Sequence, residues 1–388
     1  MHAELVLRGA VLEGRGAAVR VAGGVITEIA PDLAPRGGER VIDLGGLALL
    51  PGLINAHDHL SLDLLPRLGN PPYRNSYQWH ADLRRNYPVA AWQHRPITEG
   101  DRVLWGAYRN LFSGVTTVAH HGPLAVRFLV DGSLPVRLRL PMACAESLAK
   151  DPDVGARARH ARARMPFAIH LAEGVDATAR SEIGRLDALG ALGPGTIVVH
   201  GVALDADGRR LMAARGAALV WCPRSNHYLF GVTAAVEAMP ANVPIALATD
   251  STMTGSVTLF DELRFAAGLG KVSPERLLAM VTTEAAEVVM SPERGRIAVG
   301  APADMIALPP AGTAIDTLLA AQPRSLELVM VGGQVRLAAP RFAWAGDLEA
   351  TRLGGARVHV QRGLHALVDR LVATLPTAFP SPALAQLS

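Results

Sequence analysis

Leu53-Ile54-Asn55-Ala56-His57-Asp58-His59 is a short, mostly apolar run that ends in two histidines one residue apart. Such a run fits a strand buried on both faces, with its polar residues at the C-terminal end. The same form recurs down the chain. Residues 115–119 lead to His120, 167–169 to His170, 197–199 to His200, 217–221 to Cys222, and 245–248 to Thr249 and Asp250. Residues 136–141 form another apolar run, and helical patterns fill 99–112, 178–189, 207–215 and 274–289. Strand and helix in alternation imply a parallel sheet covered by helices, and this many units imply closure into a (β/α)8-type (TIM) barrel. Seven strands are clear. About 25 residues separate Pro141 from Phe167, too few for a full unit, so one strand is expected to be short, irregular or missing.

The two ends read differently. Pieces at 4–8, 18–21, 25–29 and 41–43, punctuated by Gly23-Gly24 and Gly37-Gly38, suggest a small antiparallel sheet. Strand-like pieces return at 295–299, 305–308, 326–331 and 334–337, and a helical period runs over about 358–375 before a Pro-rich finish. The expectation is a β-sandwich domain built from 1–50 and 297–388, beside a barrel of 51–296.

Of 388 residues, 49% are hydrophobic and 19% charged, which supplies a large core and excludes a disordered chain. The formal charge is only +3, and the Arg-rich run 157–164 is interleaved with alanine, so a nucleic-acid partner is not expected. No apolar run is long enough to span a bilayer, no signal-peptide pattern opens the chain, and two cysteines cannot make a disulfide framework. These features suit a cytoplasmic protein without a membrane partner.

The histidines carry the chemical signal. His57 and His59 point the same way if the strand continues through them. His170, with Glu173 three residues on, His200 and Asp250 all fall at or just beyond other strand ends. In a barrel those ends share one mouth. Imidazoles and carboxylates gathered there suit Zn²⁺, with Fe²⁺ or Mn²⁺ as alternatives, and a set without cysteine suits a catalytic ion.

Pro51-Gly52-Leu53-Ile54-Asn55-Ala56-His57-Asp58-His59, Gly114-Val115-Thr116-Thr117-Val118, His170-Leu171-Ala172-Glu173, Val199-His200-Gly201, Cys222-Pro223-Arg224-Ser225-Asn226, Ala248-Thr249-Asp250-Ser251 and Gly300-Ala301-Pro302-Ala303-Asp304 follow one another in order. Together they resemble the amidohydrolase superfamily. The likeness is to the branch of cytosine deaminase, guanine deaminase, S-adenosylhomocysteine deaminase and the triazine hydrolases. It runs from about residue 4 to 337 and implies the barrel with a β-sandwich. It also implies one divalent ion on His57, His59, His170 and Asp250. Glu173 would be the proton shuttle, His200 a hydrogen-bond partner of the attacking water or substrate, and Asp250 the group that takes the water's proton.

Some residues depart from that pattern. Neither Lys150 nor Lys271 sits on a strand where a bridging carboxylated lysine would have to be, which favours one ion; Glu146 is the alternative bridge. The aromatic-rich stretch 60–98, with Tyr73, Tyr77, Trp79, His80, Tyr87, Trp92 and His94, reads equally as a substrate lid or as helices packed on the barrel. His120, His121, Trp79, His80 and Asn226 are candidate substrate contacts, with Arg224 also near enough to reach the pocket. Cys222 has no activating base apparent nearby and is not read as a nucleophile.

The expected activity is hydrolysis of a C–N bond in a small, cyclic, planar substrate, with release of ammonia. Alternatives are amide, lactam or aryl-halide hydrolysis on the same site, or a non-catalytic binding protein on this fold. The resemblance also suggests a homodimer or larger homo-oligomer.

Overall fold

The computed structural model describes residues 4–87, 97–122, 134–162 and 164–374. Trp92, His94 and the Pro-rich finish lie outside them. The chain opens with β1 (Leu5–Leu12), β2 (Arg15–Ala22), β3 (Val25–Ala30), β4 (Arg40–Asp43) and β5 (Ala48–Pro51). β1, β2 and β3 form an antiparallel meander. β4 and β5 instead lie parallel to β1, pairing Leu5 with Arg40 and Val11 with Ala48, which corrects the purely antiparallel expectation. Residues 31–39 are too long for a hairpin and carry the chain back past the sheet, so β4 enters in the direction of β1.

The barrel strands follow: β6 (Leu53–Asp58), β7 (Val115–His120), β8 (Arg137–Leu138), β9 (Ala143–Ala145), β10 (Phe167–Leu171), β11 (Thr196–His200), β12 (Ala218–Trp221) and β13 (Ile245–Leu247). β6, β7 and β8 pair in parallel in a three-stranded sheet, and β9 to β13 in a five-stranded one. These are the eight strands of a (β/α)8-type barrel. The strand missing from the sequence pattern is β9, three residues long. The run at 136–141 yields only the two-residue β8. Pro141 has no N–H to offer a ladder and separates the two.

Inside the barrel, Ile54, Ala56, Ala119, Ala168, Ile197, Val199, Val220, Ala246 and Ala248 pack together. Small and β-branched side chains fill a narrow interior that larger ones would overpack. Phe167, Ile169 and Leu171, one position out of phase with Ala168, pack in the layer between strands and helices. The expected helix over 274–289 is two helices, Pro274–Ala279 and Thr283–Val288. Between them, the Met280 and Val281 carbonyls accept from the N–H groups of Leu247 (2.8 Å) and Ile54 (2.9 Å). They leave the helical ladder and cap the seam between the last and first barrel strands. At the other end of that seam, the Asp250 N–H donates to the His57 carbonyl at 3.3 Å.

The C-terminal strands are β14 (Met305–Leu308), β15 (Leu328–Val331), β16 (Gln334–Ala338), β17 (Leu348–Leu353) and β18 (Ala356–Gln361). β14 pairs antiparallel with β5, so both chain ends join in one ten-stranded sheet. Two expectations are corrected here. Residues 295–299 make no strand, since left-handed glycines flank them at 295 (φ +66°) and 300 (φ +87°) and Val299 is 65% exposed. Residues 358–361 belong to β18, and the helix is Leu364–Thr374. Gly354-Gly355, at φ +54° and +80°, turns β17 into β18 and was the available hairpin signal.

Candidate metal centre and active-site cavity

The pairing of β6 with β7 slips between Asn55 and Asp58. Such an irregularity re-aims a side chain, here at the end of a strand. The His57 and His59 rings lie edge to face with centroids 4.9 Å apart. His170 leaves β10 on the same face as the interior Ala168. Its Nε2 lies 3.3 Å from Nε2 of His57 and 3.2 Å from Nε2 of His59. Asp250 Oδ1 completes the group, 3.8 Å from His57 Nε2 and 3.7 Å from His59 Nε2. Asp250 (φ +58°) and His200 (φ +76°) adopt left-handed backbone, which is uncommon outside glycine and turns both residues where their strands end.

Neighbouring groups orient each member. His170 Nδ1–H donates to the Glu146 carbonyl at 2.8 Å, leaving a lone pair on Nε2. Asp250 Oδ2 accepts from the hydroxyls of Ser225 (2.7 Å) and Thr254 (3.0 Å), and Oδ1 accepts from the Ser251 N–H (2.7 Å). Oδ1 therefore keeps a lone pair toward the histidines. Ser225→Ala should weaken metal binding by about tenfold, read by chelator competition, because it frees the carboxylate to rotate. Unchanged affinity would remove Ser225 from this role.

Beneath the pair of histidines, the buried Asp58 carboxylate accepts from Asn55 (3.1 Å), from Arg109 and from Asn110 Nδ2 (2.6 Å). Arg109 Nε also faces Asp63 at 2.9 Å. A guanidinium between two carboxylates, all fully buried, holds the loop after β6 from below.

His57 Nδ1 is buried without a hydrogen-bond partner. Burial first, then the surrounding imidazoles, holds His57 well below the usual histidine range, and burial brings His59 down to about 4. Imidazole nitrogens facing one another at 3.2–3.3 Å beside a carboxylate fit a shared cation better than they fit one another. The nitrogens of His57 and His59 and the oxygen of Asp250 lie within 4.8 Å of one another, as do the nitrogens of His57, His121 and His170.

Of this group, His59, His170 and Asp250 form the floor of a cavity of about 390 Å³. Glu173, His200 and Ser251 also line it, together with the apolar side chains of Leu62, Trp79, Leu83 and Met253. Burial pushes the Glu173 carboxyl up to about 8. Its Oε1 lies 3.6 Å from His200 Nε2, and His200 Nδ1–H donates to Asn226 Oδ1 at 2.9 Å. A protonated carboxyl thus faces the unprotonated nitrogen of a neutral ring.

Of the five candidate substrate contacts, Trp79 and His80 line the cavity and His120, His121 and Asn226 do not. Asn226 orients His200. His120 Nδ1 accepts the Leu60 N–H at 3.3 Å. His121 packs among His57, His59 and His170. The helix Ser76–Asn86 carries Trp79 and His80 and is both wall and packed layer. Its start is tied to the Glu173 loop: Ser76 N–H donates to the Glu173 carbonyl at 3.0 Å and Val175 N–H to the Arg74 carbonyl at 2.7 Å. A Cβ at Gly174 would lie 2.5 Å from the Arg74 carbonyl, so only glycine permits this approach. Glu146 and Lys150 also line the cavity, their charges 2.9 Å apart. Lys150 lies in a turn after a three-residue strand, which carries no periodicity to reveal its place at the rim.

The helix Pro223–Phe230 carries Ser225 and Asn226 and is anchored by the buried Glu262, which accepts the Arg224 N–H at 2.9 Å. Burial raises the Glu262 carboxyl to about 7. A raised acid is protonated in the fold but ionised in the unfolded chain between about pH 4.5 and 7. Its destabilising contribution therefore grows as pH rises across that window. In Glu262→Gln the unfolding free energy relative to the parent should shift in the variant's favour over the same range, by about 3 kcal/mol. A pH-independent difference in denaturant titrations would refute the raised value.

Eight parallel strands thus carry, at their C-terminal ends, a histidine–aspartate group that could hold a metal ion. The model of the amidohydrolase family matches residues 155–336. That stretch of the chain is therefore similar to the amidohydrolase family, and the likeness to sequence relatives named as deaminases extends over most of the chain. It is 28% identical over 365 residues to 5-methylthioadenosine/S-adenosylhomocysteine deaminase of Syntrophobacter fumaroxidans, covering 76% of this chain and 78% of the relative. The Halobacterium salinarum enzyme of the same name is 27% identical, covering 69% and 74%. Among solved structures, a zinc-bound adenosine deaminase from Xanthomonas campestris superposes with a TM-score of 0.76 at 21% identity, over 96% of this chain and 98% of its own. Atrazine chlorohydrolase from Arthrobacter aurescens, complexed with zinc, gives 0.74 at 18%, over 96% and 100%. Among the described residues, no helix is long and apolar enough to cross a membrane.

Proposed function

We propose that the protein deaminates a small aminated heterocycle, with 6-aminopurine nucleosides of the 5-methylthioadenosine and S-adenosylhomocysteine type as the first substrates to test. One observation carries this: three imidazoles and the Asp250 carboxylate converge beneath a cavity whose wall holds the raised carboxyl of Glu173. His57, His59, His170 and Asp250 would hold one divalent ion, with Zn²⁺ our choice from the imidazole-rich donor set. Such an ion supplies hydroxide at neutral pH, by lowering the pKa of coordinated water to about 7.

The rest is done by side chains. Trp79, among the apolar residues of the lining, can stack against a planar ring. His200, oriented by Asn226, presents Nε2 to the attacked centre. Asp250 accepts the proton released as the new C–O bond forms. Glu173 Oε1 delivers its proton to the departing amino nitrogen, so that the C–N bond breaks to give neutral ammonia and a ring carbonyl. The proton taken by Asp250 passes to the adjacent ring nitrogen, and the next water returns a proton to Glu173 as it ionises. The names of the sequence relatives support deamination over halide release. Residues 1–50 with 297–388 would serve as a β-sandwich unit beside the catalytic barrel of 51–296. The two unpaired cysteines are in keeping with the cytoplasm.

The test is ammonia release from zinc-loaded protein across a panel of 5-methylthioadenosine, S-adenosylhomocysteine, adenosine, aminopyrimidines, pterins and aminotriazines. Turnover of at least one amine is expected. Chloride release from a chlorotriazine with no ammonia from any amine would replace this reading with a chlorohydrolase.

A further inference from the structure

We propose that His121 is a fifth protein ligand of the ion held by His57, His59, His170 and Asp250, so that one cation is bound by four imidazoles and a carboxylate. The proposal rests on the metal-dependent reading above and extends its donor set.

His120 and His121 end β7, and adjacent side chains at a strand end face opposite ways. The His121 N–H donates to the Asp58 carbonyl at 2.8 Å, which locks this residue beside the His57-Asp58-His59 segment. His120 turns to the Leu60 N–H. The His121 ring turns to the clustered histidines, with centroids 4.3 Å from His170, 5.1 Å from His57 and 5.2 Å from His59.

Several observations favour a ligand over a packing role. His121 is 2% exposed, and its Nδ1 has no hydrogen-bond partner among the described residues. A buried polar nitrogen left unpaired is costly, and a cation would take up the lone pair. The nitrogens of His57, His121 and His170 lie within 4.8 Å of one another, and this triplet shares His57 with the triplet that includes His59 and Asp250. His121 does not line the cavity, so a substrate contact does not account for it. A donor set this rich in imidazole suits Fe²⁺ or Co²⁺ as well as Zn²⁺.

The test uses protein stripped with chelator and reloaded with Zn²⁺ or Co²⁺. X-ray absorption at the zinc edge should count four imidazoles in the parent and three in His121→Phe. The ligand-field bands of the Co²⁺ form should strengthen in the variant as the coordination number falls. Zn²⁺ affinity by chelator competition should drop about tenfold or more. Three imidazoles in the parent overturn the proposal, and that measurement stands even if the variant does not fold. So do an unchanged Co²⁺ spectrum and affinity in a folded variant. Two equivalents of zinc would also overturn it, because the His57/His121/His170 triplet would then hold its own ion. A parent protein that binds no metal would instead sink the metal-dependent reading itself.

Discussion

Glu173→Gln should lower kcat by about a thousandfold while the protein keeps its full equivalent of metal. Glutamine matches the carboxyl in shape and can still fill the space beside His200 and above Ser76. It cannot accept and return a proton. Burial lifts this carboxyl to about 8, so at neutral pH the group carries a proton, and under the proposed mechanism that proton would go to the leaving nitrogen. A loss confined to kcat, with KM nearly unchanged, is the expected split, because the proton moves only as the C–N bond breaks. Near-normal turnover with metal retained would show that another group protonates the amine.

His57→Ala should leave less metal after purification than can be counted as a tenth of an equivalent, with affinity down by roughly a hundredfold or more. His57 is fully buried and belongs to both ligand triplets, so no neighbour can replace it. The variant should keep its far-ultraviolet circular dichroism, since the Asp58–Arg109–Asp63 group beneath it is untouched. A full equivalent of metal in His57→Ala would overturn the ligand assignment, and the hydrolytic mechanism would lose its nucleophile source.

Legibility in the sequence followed the length and regularity of each element. β6, β7, β10 and β11 are five or six residues long and end on a histidine or one residue from one, so pattern alone located them. β8 and β9, of two and three residues, are too short for any period to register. The helix break at 280–282 was equally hidden, because helix-forming residues there give their carbonyls to Leu247 and Ile54 on distant strands. Asn226 stood out as a polar residue near a strand end, yet its partner is the His200 ring. Ser225 sits in the same motif and touches Asp250, a role that only the helix Pro223–Phe230 makes visible.

By itself, the order of residues determined the strand–helix alternation and the imidazoles and carboxylates at the strand ends, since period and position along a strand are local properties. Tertiary structure alone decided that His121 joins the cluster of His57, His59 and His170 while His120 turns away, that Lys150 and Glu146 edge the cavity, and that both chain ends share one sheet. Those outcomes depend on which strands become neighbours and how far each twists at its end, and contacts between residues distant in the chain set both.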